Sequence, residues 1–123
     1  MQSLRLGLSS SSLLRELALA FMSIDKLNIA EDLVRRALVS ETGKGNSHTR
    51  KLLADILTSQ NNIVNAVEEY RSIIGDDFAD YSLKIQSGEK CASLLSSLGR
   101  TDELKVLKSI LNDLKNSNNN NIQ

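Results

Sequence analysis

An arithmetic that recurs three times limits what this chain can fold into. A small residue, Ala18, Ala54 or Ala92, is followed three places on by a larger apolar one, Phe21, Leu57 or Leu95. Nine places later comes the residue that opens the next apolar stripe: Ala30, Ala66 or Leu104. The step of nine never varies, while successive units are offset by 36 residues (18 to 54) and then 38 (54 to 92). A small side chain at a helix crossing lets two backbones come close, and a constant step repeats the crossing with the same geometry. A single hairpin of this kind cannot bury its apolar face alone, so the units must stack on their neighbours.

The surrounding residues fill in six helices. Leu13, Leu14, Leu17, Ala18, Phe21 and Ile24 fall at the three-and-four spacing of one helix face. The same spacing runs through Ala30–Leu38, through Leu52–Leu57 and through Ile63–Ile74. It continues in Phe78, Tyr81, Ile85, Gly88, Ala92 and Leu95, and in Leu104, Leu107, Ile110, Leu111 and Leu114. Polar or glycine breaks separate the stripes at Asp25–Asn28, Thr42–Asn46, Asn61–Asn62, Gly75 and Gly99. Asn28 with Glu31 reads as a capping pair, Ser47 and Thr101 as further caps. Asp76 and Asp77 suit the start of the fifth helix, where the macrodipole favours negative charge. The spacing therefore predicts an all-α chain of three stacked antiparallel helix-turn-helix hairpins, with a repeat domain over 13–115 and units of about 13–42, 47–75 and 77–115. Residues 1–12, serine-rich and without an acid, are expected to form a disordered N-terminus or a short targeting segment. The asparagine-rich tail 116–123 is expected to be disordered, having nothing to bury.

Composition narrows the chemistry. Hydrophobic residues make up 41% of the 123 and aromatics only 3%, so the core must be aliphatic. Fifteen basic and fifteen acidic side chains cancel, and the chain lacks the net field that nucleic-acid and anionic-membrane binders use. No nucleic-acid partner is expected. The longest uncharged apolar stretch, Leu17–Ile24, is far too short to span a bilayer. One cysteine excludes an internal disulfide and any cysteine-built metal site, and one histidine excludes histidine clusters.

The repeat resembles the tetratricopeptide family, whose unit is a helix–turn–helix of about 34 residues. The first unit carries Leu14-x2-Leu17-Ala18-x2-Phe21 and then Ala30-x3-Val34-x2-Ala37. The second has Leu53-Ala54-x2-Leu57 and Ala66-x3-Tyr70-x2-Ile73. The third has Cys91-Ala92-x2-Leu95 and Gly99-Arg100-Thr101-Asp102-Glu103-Leu104, similar to the family's turn into its second helix. The resemblance covers roughly residues 11–115 and implies a short right-handed α-solenoid. The tryptophan that often opens the motif and the proline that usually closes it are missing, and Lys108 stands where a bulky apolar residue is usual. A charge there suits a last helix with no following neighbour.

Residues with chemical potential find few partners. His48 lies near a helix start with no second histidine, and a nucleophile–base pair is lacking. Cys91 takes the place of Leu17 and Leu53 in the other units, as a small buried hydrophobe would. Gly43-Lys44-Gly45-Asn46 lacks the spacing of a phosphate loop and reads as a helix stop. The acids Glu68, Glu69, Asp76, Asp77 and Asp80 straddle a helix end and a turn rather than a metal loop. No enzyme activity, cofactor or metal is expected.

In the family, first helices line a concave groove that binds a peptide. By that resemblance the groove positions here are Arg15, Leu19 and Met22, then His48, Lys51 and Asp55, then Gln86, Lys90 and Ser93. Ser12, Thr58, Glu89 and Ser96 are inward positions of the same set. Some members grip a partner's C-terminal carboxylate with Lys and Asn; Leu19 and Leu52 occupy places where that clamp needs amides, so it is not expected. The expectation is a non-enzymatic adaptor or assembly factor holding a protein or peptide partner, in the cytoplasm, or in a mitochondrion or other organelle if residues 1–12 are a targeting peptide. The alternative is a structural subunit or fragment of a larger helical-repeat assembly, docking through the Leu13, Leu17 and Ala20 flank.

Overall fold

In a computed structural model of the chain, residues 11–41 and 46–122 are described, with side chains as far as Ser117. Among them lie six α-helices and no strand: α1 (Ser11–Ser23), α2 (Leu27–Ser40), α3 (Ser47–Ser59), α4 (Ile63–Ile74), α5 (Tyr81–Leu98) and α6 (Thr101–Ile122). Each helix packs on the next, and α1 also touches α3, and α3 touches α5.

The turns between α1 and α2, between α3 and α4 and between α5 and α6 have one design. Asp25 (φ 62°), Asn61 (φ 62°) and Gly99 (φ 72°) are left-handed, and they are separated by the same 36 and 38 residues as the three alanines. The following N–H reaches back to close the first helix: Lys26 donates to the Phe21 carbonyl at 2.8 Å, Asn62 to Leu57 at 2.8 Å and Arg100 to Leu95 at 3.0 Å. The left-handed residue's own N–H bonds the carbonyl three back, Met22, Thr58 or Ser96. This pair of bonds satisfies carbonyls that a helix end would leave unpaired. Ala30, Ala66 and Leu104 then donate to Lys26, Asn62 and Arg100 at 3.1 Å each, the first helical bond of each second helix. The constant step of nine is the length of this turn.

Left-handed backbone disfavours most L-residues, aspartate and asparagine less so. Replacing Gly99 by alanine meets no atom within 4 Å, so only backbone strain opposes it. We expect Gly99→Ala to lower stability by about 1 kcal/mol, and Asn61→Gly to leave it equal or slightly higher, both read from urea midpoints. A larger loss in Asn61→Gly than in Gly99→Ala would contradict the shared turn.

One aliphatic cluster runs through the molecule from Ala18 to Leu111, with Tyr70 its largest fully buried side chain. Ala18 and Ala54 are completely buried, whereas Ala92 is only partly so. The alanines differ because α3 and α5 pack on the first helices before them, while α5 carries no further first helix among the described residues. Between α5 and α6 the tight spot is at Gly88, where a Cβ would meet Leu111.

Several local expectations are corrected. Asn28 is inside α2, preceded by Lys26 at the cap position, and no side chain caps that end; Asn28 instead accepts from Gln60. Ser47 is the first residue of α3 rather than its cap, and its hydroxyl donates to Asp76. Helix α5 begins at Tyr81, not at Asp76–Asp77: Asp80 caps it, accepting from the Leu83 N–H at 2.7 Å. Phe78 therefore falls in a turn and is 59% exposed. Ile24 and Ile110, also placed on core stripes by spacing, are exposed as well. At the chain's ends, Ser11 and Ser12 open α1, and the rest of the N-terminal expectation lies outside the described residues. Helix α6 continues to Ile122, through residues expected to form a disordered tail. Extending an existing helix adds one bond per residue without a new nucleus.

Candidate functional site

The groove positions fall on helices that touch, α1, α3 and α5, at spacings of three and four that put each set on one face. Arg15 and Leu19 come from α1, His48, Lys51 and Asp55 from α3, and Gln86 from α5; together they line an open hollow of about 530 Å³. A second hollow of about 390 Å³ adjoins it through Asp55 and is lined by Thr58, Tyr70, Lys90 and Ser93. Met22 lines neither; it is half-buried and packs against the core. Leu19 is 53% exposed and gives the larger hollow an apolar spot.

Asp55 sits where the two hollows meet and is the most heavily bonded side chain there. It accepts from the Tyr70 hydroxyl, from Lys90 Nζ at 3.0 Å and from Lys51 Nζ at 3.2 Å. The cluster ties α3 to α4 and α5. Burial by itself would raise the Asp55 pKa; the hydrogen bonds from Tyr70 and Lys90 and the two ammonium charges outweigh it and hold the carboxyl below its ordinary value. Burial, with Asp55 beside it, pushes the Tyr70 hydroxyl far up, so that it stays a donor.

This pairing decides which cations are available. Of the three basic side chains lining the larger hollow, Lys51 is held by Asp55, and His48 faces Asp80 with Nε2 3.8 Å from Oδ2. Arg15 forms no ion pair among the described residues, and its Nε is enclosed without a hydrogen-bond partner. Arg15, half-buried in the lining beside Glu16, is thus the cation of the hollow left to meet an incoming carboxylate.

The resemblance did not point to Glu16, Asp80, Ser82 and Leu83, which also line the larger hollow. The signal was present, since an aspartate three places before Leu83 fits a helix cap. The other chemical candidates disperse. Glu69 pairs with Arg50 at 3.0 Å, Glu68 lies 3.6 Å from Arg71, and Asp76 accepts from Ser47 and the Phe78 N–H. Among the described residues no three His, Cys, Asp or Glu side chains come together as a metal site. Cys91 is fully buried, and burial pushes its thiol up to about 11, so it is protonated at neutral pH. Residues Gly43–Gly45 of the glycine loop lie outside the described residues. No helix among the described residues is long and apolar enough to cross a membrane.

No protein-family model matches the chain, and neither the curated proteins nor the solved structures compared with it give a match.

Proposed function

We propose that the chain is a non-enzymatic protein-interaction module. In this reading three tetratricopeptide-like hairpins stack as a short right-handed α-solenoid, and α1, α3 and α5 line a groove that holds an extended peptide segment. The observation that carries it is the larger hollow, where residues of α1, α3 and α5 surround Arg15, which has no ion-pair partner among the described residues, next to exposed Leu19. The threefold turn supports the repeat. The ligand such a surface fits is a segment with a carboxylate for Arg15 and an aliphatic side chain for Leu19, the latter supplying buried area and the former orientation.

The test is selection of peptides from a displayed library against the full chain, followed by titration of the selected peptides. Selected sequences are expected to place an Asp or Glu near an aliphatic residue. Arg15→Glu should weaken them about tenfold or more, a loss of roughly 1.4 kcal/mol, with the far-UV circular dichroism unchanged. Lys51→Glu is a poorer probe, because it removes an ion pair and places a second carboxylate beside Asp55. A library that yields no binder, or binders indifferent to Arg15→Glu, would refute the reading.

A further inference from the structure

A third recess, of about 470 Å³, opens between α4, α5 and α6 and shares no lining residue with the two hollows. Cys91, Leu95 and Leu107 are its buried lining, and Val106 and Ile110 stand at its mouth, 62% and 41% exposed. The core does not require those last two, since α6 already presents Leu104, Leu107, Leu111 and Leu114 inward. Comparison within the repeat shows how the recess arises. Thirty-eight residues earlier, Cys91, Val106, Leu107 and Ile110 correspond to Leu53, Glu68, Glu69 and Ser72. The third unit has thus exchanged a leucine for a smaller thiol and three polar surface positions for aliphatic ones. Exposed aliphatic residues around a concavity mark an interaction site more often than scattered ones do.

The charges say what fits. Asp102 lies four residues before Val106 and Asp113 three after Ile110, so both share the exposed face of α6 with that pair. They are about 16 Å apart along the axis at 1.5 Å per residue. Neither has an ion-pair partner among the described residues. The one cation in the lining, Arg71, is engaged by Glu103 at 3.2 Å and lies 3.6 Å from Glu68, so among the described lining residues Asp102 is the charge left unpaired. A second copy is a poor occupant: an antiparallel pairing of two α6 helices with Val106 over Ile110 sets Asp113 of one against Glu103 of the other, like charge on like. We propose that this recess docks a basic amphipathic helix, with aliphatic side chains at three-and-four spacing entering between α4 and α6. Its Lys or Arg residues, about three turns apart, meet Asp102 and Asp113.

The experiment uses the full chain, ¹⁵N-labelled, titrated with a synthetic leucine–lysine amphipathic helical peptide and with its leucine–glutamate counterpart. Saturable binding of the lysine peptide is expected, with amide shifts confined to α4, α5 and α6. The double variant Val106→Glu/Ile110→Ser, which restores the residues of the second unit at two exposed positions, should weaken it roughly tenfold or more. Asp102→Asn/Asp113→Asn should weaken it several-fold and flatten its salt dependence. The inference is overturned if the lysine peptide does not saturate, if the glutamate peptide binds equally, or if Val106→Glu/Ile110→Ser changes nothing. Shifts on α1 and the hollows instead would also overturn it, leaving the proposed groove untouched. Sedimentation showing a dimer that the double variant abolishes would assign the surface to a second copy and equally overturn it.

Discussion

Gly88→Val is expected to cost about 3 kcal/mol, at the upper end of overpacking losses. Gly88 is buried in α5 against α6, and a Cβ placed there would lie 2.3 Å from Leu111 Cδ2 and 3.1 Å from its Cγ. Two effects compete. Glycine in a helix interior is worse than alanine by roughly 0.5–1 kcal/mol, so any side chain gains something in propensity. Against this, Leu111 must move by more than an ångström, and at 7% exposure it has little room to swing outward. Alanine sets the two effects nearly level, and Gly88→Ala should fall within about 1 kcal/mol of the parent. Valine adds two methyl groups at a position where only one rotamer is comfortable in a helix, and the clash wins. The cause can be isolated by a cycle. Leu111→Ala alone should cost about 2–3 kcal/mol, but much less in the presence of Gly88→Val, because the truncated side chain makes the room that valine needs. Urea midpoints of the four proteins measure this. Strict additivity, or a valine variant as stable as the parent, would show that α5 and α6 are not in contact at Gly88.

Periodicity and turn chemistry carried the all-helical class and the positions of three like turns, because both are local properties. The left-handed residue four places past Phe21, Leu57 or Leu95 is marked by its own type, and Asp25, Asn61 and Gly99 are among the few types that tolerate it. Helix starts were less legible. Asn28, Ser47 and Asp76 are all good cap residues in isolation, yet each is drawn elsewhere by a partner distant in sequence or by its own turn: Asn28 by Gln60, Ser47 and Asp76 by one another, Asp76 also by the Phe78 N–H. Cap preference is worth about 1 kcal/mol, so one tertiary hydrogen bond is enough to override it. Phe78 shows the opposite failure, an apolar residue at the right spacing that falls before the helix begins.

For the candidate site, six positions named by the resemblance, Arg15, Leu19, His48, Lys51, Asp55 and Gln86, line one hollow, since residues three and four apart share a helix face. What this could not supply was the charge pairing. The resemblance named Lys51, Asp55 and Lys90 as groove positions without relating them; in the fold Asp55 engages both lysines. That pairing joins residues 35 apart in the chain, Asp55 and Lys90, and nothing in the local pattern of either marks the other. The recess beside Cys91 was hidden for a related reason: spacing put Ile110 on the inward stripe of α6 and gave no sign that it stands exposed beside Val106.

Asp55→Ala should cost about 2–3 kcal/mol and change how the protein responds to acid. One carboxylate serves three donors, so its removal strands more than one bond: the Tyr70 hydroxyl loses its acceptor in a buried setting, and Lys51 and Lys90 face each other without a counter-charge. Breaking a fully buried ion pair from one side costs about 3–5 kcal/mol. Here Asp55 is 23% and Lys90 50% exposed, so water recovers part of that loss. Asp55→Asn keeps an acceptor for Tyr70 and should cost less, about 1–2 kcal/mol. The pH dependence separates charge from shape. Because the folded protein holds Asp55 below the ordinary aspartate value of 3.8, the unfolded chain binds that proton more readily. The stability Asp55 contributes is therefore complete above about pH 5 and is lost as pH falls below 4 through the folded value. Glu31, hydrogen-bonded by Arg35, and Asp76, hydrogen-bonded by Ser47, are shifted the same way, so the acid limb should become shallower in Asp55→Asn without vanishing. The deficit of Asp55→Asn relative to the parent should be largest at neutral pH and shrink toward pH 3, measured as urea midpoints across that range. A deficit that stays constant from pH 7 to pH 3 would mean that Asp55 acts through its shape alone, and that Lys51 and Lys90 are open to a ligand after all.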